Sequence, residues 1–184
     1  MLSLKNQILI SSPNMLDSFF SKSIIYVCEH NQQGAMGLII NKKLRDKELY
    51  KKLLKVLQKN KDHKLLKSKI YFGGPVLIEN GIVLHHSSYK SKESIPISDS
   101  ISITSNQKTL NSLIEKKDVL FKIILGHAGW SKGQLEKEIE NGDWLIQKTE
   151  IDFIFNVSPG DMWLKAIESL GLDTECYFGV AGKT

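Results

Sequence analysis

Cys28 and His30 stand two residues apart in a stretch that reads as a β-strand, so both side chains are expected on one face. A thiol touching an imidazole can lose its proton and act as a nucleophile. Side chains at that spacing are rooted roughly 7 Å apart, however, and no Asn or Asp stands ready to orient the ring. A buried cysteine serving as a small apolar side chain is the simpler reading. His30-Asn31 then anchors the adjoining turn. His30, His85, His86 and His127 could in principle converge on a metal. None has HExxH or CxxC spacing, and His85 and His86 are neighbours facing opposite sides of a strand. Neither a metal nor a cofactor is expected.

Two glycine-bearing segments offer a different chemistry. Gly73-Gly74-Pro75 follows a strand and could form a backbone nest for an anion, or simply let the chain turn and approach another strand. Residues 126–133, Gly-His-Ala-Gly-Trp-Ser-Lys-Gly, follow a buried strand and open a helix whose N–H groups could hold a phosphate or carboxylate. The order Ser131-Lys132-Gly133 is not that of a Walker loop, and the glycine spacing is not a dinucleotide fingerprint. Trp130 beside it reads as partly buried core. Candidate ligand-binding residues are His30, Asn31, Gly73, Gly74, Gly129, Trp130, Gly133 and Gln134. No catalytic residue is assigned. Glu136, Glu138 and Glu140 with Lys137 read as an exposed helix flank.

Charge supplies the third signal. The 184-residue chain carries 25 basic and 20 acidic residues, a net charge of +5. Between Lys42 and Lys69 there are 12 basic and three acidic residues, a local excess of +9, so the remainder is net negative. Of the basic residues 24 are Lys and one is Arg45, beside 21 Ile, the composition an AT-biased coding sequence yields. Such bias explains the residue type but not the clustering. A solvated helix face is the plain reading. The functional one is a patch for phosphate-rich partners, centred on Lys51, Lys52, Lys55 and Lys59. Lysine lacks the fork that reads guanine edges, and Tyr50 is the one aromatic within the run. Any nucleic-acid contact through 42–69 is therefore expected to be weak, non-specific and salt-sensitive.

The elements that must position these residues can be read from periodicity. Gln7–Ser11 suits a strand, and 23–41 reads as a hairpin turning at Asn31-Gln32-Gln33-Gly34. Residues 46–59 read as a helix with Leu49, Leu53, Val56 and Leu57 on one stripe and Lys opposite. Strands are expected at 69–72, 81–85, around Ile101 and Ile103, and at 119–125. Residues 87–99 read as a polar surface loop or lid. Helices are expected at 106–116, 134–140 and 161–170, the last closed by Gly171. Residues 144–147 and 151–155 read as short extended or loop pieces. The only helix-turn-helix candidate, 106–116 with 118–130, fails because its second element reads as a strand.

This irregular interleaving predicts an α+β fold with a mixed sheet in a single domain over 1–184. Composition excludes disorder and collagen-like repeats: 41% of residues are hydrophobic, 24% are charged and four are Pro. No apolar run nears the roughly 18 residues that cross a bilayer. Lys5 with a three-residue apolar stretch is too little for a secretory signal. Two cysteines, Cys28 and Cys176, form no disulfide framework, so a reduced, cytoplasmic protein without membrane contact is expected.

Four blocks in order, LISSPNMLDSFFSKSIIYVCEH (9–30), CEHNQQGAMGLIINKKL (28–44), YFGGPVLIENGIVLHH (71–86) and ILGHAGWSKGQLEKEIENGDWL (124–145), resemble the AlgH/YqgE family of bacterial proteins. The resemblance runs from about Gln7 to Leu172. It implies a bifurcated sheet containing a small barrel, flanked by helices. It also implies a transcriptional-regulator label, with no established enzymatic activity, cofactor or binding residues. Two departures stand out: His127 where the family usually has Tyr, and the unusually basic run after Asn41. The expected function is a non-enzymatic regulatory or binding module, with an indirect effect on transcription. The alternatives are an enzyme acting on a small anionic or acyl substrate and a structural subunit.

Overall fold

The computed structural model describes residues 2–56, 66, 68–116 and 118–172. The elements run β1 (Gln7–Ser11), β2 (Ile24–Asn31), β3 (Gly34–Ile39), α1 (Lys47–Val56), β4 (Ile70–Phe72), β5 (Val76–His86), β6 (Ile95–Pro96), β7 (Ile101–Thr104), α2 (Gln107–Glu115), β8 (Phe121–Ser131), α3 (Gln134–Glu140), β9 (Trp144–Lys148), α4 (Ile151–Asn156) and α5 (Met162–Ser169).

The nine strands form one sheet in the order β6-β7-β5-β8-β3-β2-β1-β9, with β4 added beside β8. It curls into a half-barrel. The β4–β8 pair is parallel and the other pairs are antiparallel, so the sheet is mixed, as expected. The fork lies on β8. Its last four residues, 128–131, pair with β3, while residues 121–127 pair with β4 and β5.

Strand alternation explains why the sheet is apolar on both sides. Ile8, Ile10, Ile24, Tyr26, Leu38, Ile40, Leu84 and Ile124 point into the curl, where Ile154, Met162, Trp163, Ala166 and Ile167 cover them. The intervening Leu9, Ile25, Val27 and Ile39 point outward beneath Trp130, Leu135 and Trp144. A third cluster, with Ile70, Val83, Phe121 and Ile123, is covered by Leu110 and Leu113 of α2 and by Tyr50 and Leu53 of α1. Each fully buried Ile or Leu contributes about 1.5–3 kcal/mol of transfer free energy, so double-sided burial is the main stabilising term.

Helix ends obey local rules. Asp46 precedes α1 and accepts from the N–H groups of Glu48 and Leu49, and Asn106 caps α2 through the N–H of Thr109. Gly171 ends α5 with positive φ. Its N–H reaches the Glu168 carbonyl and that of Leu172 reaches Ile167, the two bonds of a Schellman cap.

The structure corrects the expected elements in four places. Residues 151–155 are helical, neither extended nor loop: β-branched and aromatic residues favour strands, but packing Ile154 into the curl outweighs that preference. Residues 126–131 continue β8 instead of forming a loop, because Gly126 lets that strand pass close to Gly74. β5 begins at Val76, with an irregular register before Gly81. The 87–99 segment contributes β6 to the sheet edge. Asn60, Leu57 and Cys176 lie outside the described residues.

Candidate nucleic-acid interface

Adjacent phenylalanines begin the site. Asp17 accepts from the N–H groups of Phe19 and Phe20 at 2.7 and 3.0 Å, which tightens the 17–20 turn. Phe20 turns inward, edge-on to Trp144 at 5.7 Å. Phe19 turns outward and is left 48% exposed, stacked on Phe72 of β4 at 5.9 Å between centroids. An exposed aromatic held flat by a second ring is a platform for a nucleobase.

Residues 41–46 run alongside this platform. Asn41 ties the segment to the hairpin: its side-chain carbonyl accepts from the Ile24 N–H and its amide donates to the Lys22 carbonyl. The Lys42 ammonium donates to the carbonyls of Ser18 and Phe19 and so fixes the platform's turn. Lys43 and Arg45 complete the wall. Together with Ile78, Pro159 and Gly160 these residues line a groove of about 570 Å3. Asp46 at its end is already engaged as the cap of α1.

Around Tyr71, on the inner side of β4, three ammonium groups share one neighbourhood. Lys43 lies 3.8 Å and Lys122 4.3 Å from the centroid of Tyr71. Lys43 also donates to the Ser68 carbonyl, and Lys122 to the Ile40 carbonyl at 2.8 Å. Burial, then the Lys69 charge, lowers Lys43 to about 8. Burial, then Lys43 and Lys69, lowers Lys122 to about 7. Burial alone lowers Lys69. A cluster of cations held below their ordinary proton affinity gains from a bound anion.

The lysines singled out on α1 are placed differently. Lys51 pairs with Glu48 at 2.8 Å and Lys52 with Glu79 at 2.7 Å, so both charges have acidic neighbours. Lys55 is exposed in the last turn, and Lys59 lies outside the described residues. The groove side of segment 42–69 therefore offers Lys43 and Arg45 in place of the helix.

The eight glycine-centred and hairpin residues fall into three groups. His30, Asn31 and Gly133 line a cleft of about 590 Å3 with Glu136. His30 accepts the Leu4 N–H at Nδ1, leaving Nε2–H to meet Glu136 at 2.9 Å. Gln134 accepts from the N–H and hydroxyl of Ser131. Gly73 and Gly74 form a second group, packed backbone to backbone against Gly126 and His127. Gly129 is exposed near the His127 ring, while Trp130 is buried in the outer cluster.

Cys28 and His30 do not share a face. A bulge between Val27 and Glu29 inserts Cys28 as an extra residue, which reverses the alternation beyond it. The thiol stays in the curl, and burial pushes it up to about 12. His30, paired with Ala35, faces α3 on the outer side. The His30 cleft includes neither Cys28 nor Gly73 and Gly74. Among the described residues no group of three His, Cys, Asp or Glu could hold a metal ion.

Sequence reading missed Phe19, Phe72, Lys42 and Lys43 as a unit. One signal was present: of two consecutive phenylalanines in a short polar turn, only one can face the core. It missed Glu138 too, which is no loose helix flank. Its carboxylate accepts from the indoles of Trp130 and Trp144 at 2.7 and 2.8 Å and from Gln134 at 2.9 Å. Glu138→Ala is expected to orphan two indole N–H groups and lower stability by about 2–4 kcal/mol, read by urea unfolding.

The curled, forked sheet with this helix arrangement defines a fold class that solved structures share. The chain superposes on the solution structure of the AlgH protein from Pseudomonas aeruginosa with a TM-score of 0.72 at 31% identity, covering 99% of this chain and 96% of that one. The crystal structure of DIP2367 from Corynebacterium diphtheriae, 17% identical, shares the fold with a TM-score of 0.71, over 96% and 92% of the two chains. A UPF0301 protein of Shewanella loihica is 41% identical over 174 residues, 93% of each chain. One from Ralstonia pickettii is 37% identical over 183 residues, 99% of this chain and 96% of its own. The AlgH-like family profile matches residues 8–175, and the chain belongs to that family.

Proposed function

We propose that the protein is a regulatory binding module that holds single-stranded nucleic acid or a nucleotide in the Phe19–Phe72 groove. The observation that carries this reading is the stacked, half-exposed Phe19 flanked by Lys43 and Arg45. Ring faces accept any base, and lysine ammonium groups accept any phosphate, so binding is independent of sequence. The groove binds without converting, since its lining is cationic and aromatic and its carboxylate is committed to a helix cap. An influence on transcription is then indirect, because α2 leads into β8 and not into a second helix. Residues 1–184 act as a single domain, and the working compartment is the reducing cytoplasm. That compartment is compatible with a free, buried Cys28 and with the lack of any described helix long and apolar enough to cross a membrane.

Fluorescence titration with a short single-stranded oligonucleotide tests the reading. Log affinity is expected to fall against log salt with a slope of about −1.4, for the two phosphates that Lys43 and Arg45 neutralise. Phe19→Ala is expected to weaken binding about tenfold through lost stacking. A salt-independent affinity, or a Phe19→Ala variant that binds as wild type, would count against it.

A further inference from the structure

A third pocket lies where the 87–99 segment folds over β5 and β7. It has a volume of about 380 Å3, and its lining includes Ser91, Ser94, Ser98, Tyr89, Lys90 and Asp99. Behind this lining His85 is fully buried and meets the pocket through Ser94.

The hydrogen bonds of His85 assign its tautomer. Nδ1 lies 3.1 Å from the His86 carbonyl oxygen, which can only accept, so Nδ1 carries the proton. Nε2 therefore presents a lone pair, and the Ser94 hydroxyl donates to it at 2.9 Å. Tyr89 stands edge-on to the ring at 6.0 Å. Burial holds the imidazole below its ordinary value, so it rests in the neutral, basic form. The other serines are differently engaged. Ser87 bonds to Ser102, and Ser91 bonds to Thr109 and accepts the Glu93 N–H. Ser98 accepts the Ser100 N–H. Ser94 is the one whose hydroxyl meets a base that a third group orients.

The backbone on either side of Ser94 is pinned. Its N–H reaches the Ser91 carbonyl at 3.3 Å, and the Thr104 hydroxyl donates to the Glu93 carbonyl at 2.8 Å. Ile95, next in sequence, pairs with Ile103 of β7. The nucleophile and its base therefore sit on sheet-anchored segments.

We propose that Ser94 and His85 form a nucleophile–base pair that accepts the acyl group of a small ester. Ser94 Oγ bonds to the acyl carbon as its proton passes to His85 Nε2. The bond from that carbon to the leaving oxygen breaks, and the departing alcohol takes the proton. Water then attacks the acyl-serine, gives a proton to Nε2 and releases the carboxylic acid. Ser94 recovers its proton from Nε2. Lys90 is the cationic residue in the pocket's lining and the one assigned to the transient oxyanion. This activity is separate from the Phe19 groove and does not rest on it.

The test treats the whole chain with a fluorophosphonate probe and maps the adduct by peptide mass spectrometry. The expected adduct sits on Ser94, disappears in Ser94→Ala and persists in Ser91→Ala. His85→Gln, checked for folding by circular dichroism, is expected to slow labelling about a hundredfold. Hydrolysis of p-nitrophenyl acetate is expected to fall at least tenfold in Ser94→Ala, the remainder being lysine background. An unlabelled protein overturns the proposal, as does an adduct spread evenly over the pocket's serines. Ester turnover in Ser94→Ala equal to wild type overturns it too, whether or not the His85 variant folds.

Discussion

Gly74→Ala is expected to lower the unfolding free energy by about 3–5 kcal/mol, a large share of the roughly 5–15 kcal/mol that holds a domain together. Gly74 has a φ of +144°, in a region side chains avoid, and a Cβ there would stand 2.3 Å from the carbonyl carbon and oxygen of His127. Those atoms are backbone and cannot swing aside. The crossing is reciprocal, because a Cβ on Gly126 would meet the Gly74 oxygen at 2.3 Å. Strain and overpacking each cost about 1–3 kcal/mol. Gly133→Ala supplies the control: its φ is +73°, but nothing lies within 4 Å of the added carbon. It is expected to cost about 1–2 kcal/mol, the backbone term alone. Urea unfolding of both variants measures the difference. Equal midpoints would show that the glycine crossing is not tight.

Lys122→Met is expected to flatten the rise in stability between pH 7 and pH 10.5, leaving the part that Lys43 and Lys69 contribute. The Lys122 side chain points into the curl opposite Leu84 and is only 2% exposed. Folding lowers its proton affinity from 10.5 to about 7, by burial first and by Lys43 and Lys69 second. Within that window the unfolded chain holds a proton that the folded chain releases, so unfolding becomes harder as pH rises. Below pH 7 both states are protonated and the fold bears the whole cost of the buried charge. The wild-type slope should exceed that of the variant by up to about 1.4 kcal/mol per pH unit. Over the window this amounts to on the order of 3–5 kcal/mol. Parallel pH profiles for the two proteins would mean that the buried amine keeps its ordinary affinity.

The β2–β3 hairpin was legible because its period-two pattern and its turn residues agree. α2 and α5 were legible because Asn106 and Gly171 mark ends that periodicity also marks. The face of His30 was not legible, since one bulge residue reverses every side chain after it and leaves no mark in composition. Nor was the strand character of 126–131. Its glycines look like a loop until the strand they must approach, with Gly73 and Gly74, is in place. The groove was least legible of all. Its walls come from the 17–20 turn, the 41–46 segment, Phe72 and Pro159-Gly160, which only the tertiary fold brings together. Charge alone marks segment 42–69 and its helix, but not that Glu48 and Glu79 stand against Lys51 and Lys52.

Backbone amide chemical shifts report most directly on where a polyanion settles. Uniformly labelled protein at low salt, titrated with a six-nucleotide single strand, is expected to show its largest changes at Phe19, Phe72 and residues 41–46. The His30 cleft and the exposed face of α1 should stay still. Changes centred on Lys51, Lys52 and Lys55, with Phe19 unmoved, would contradict the groove.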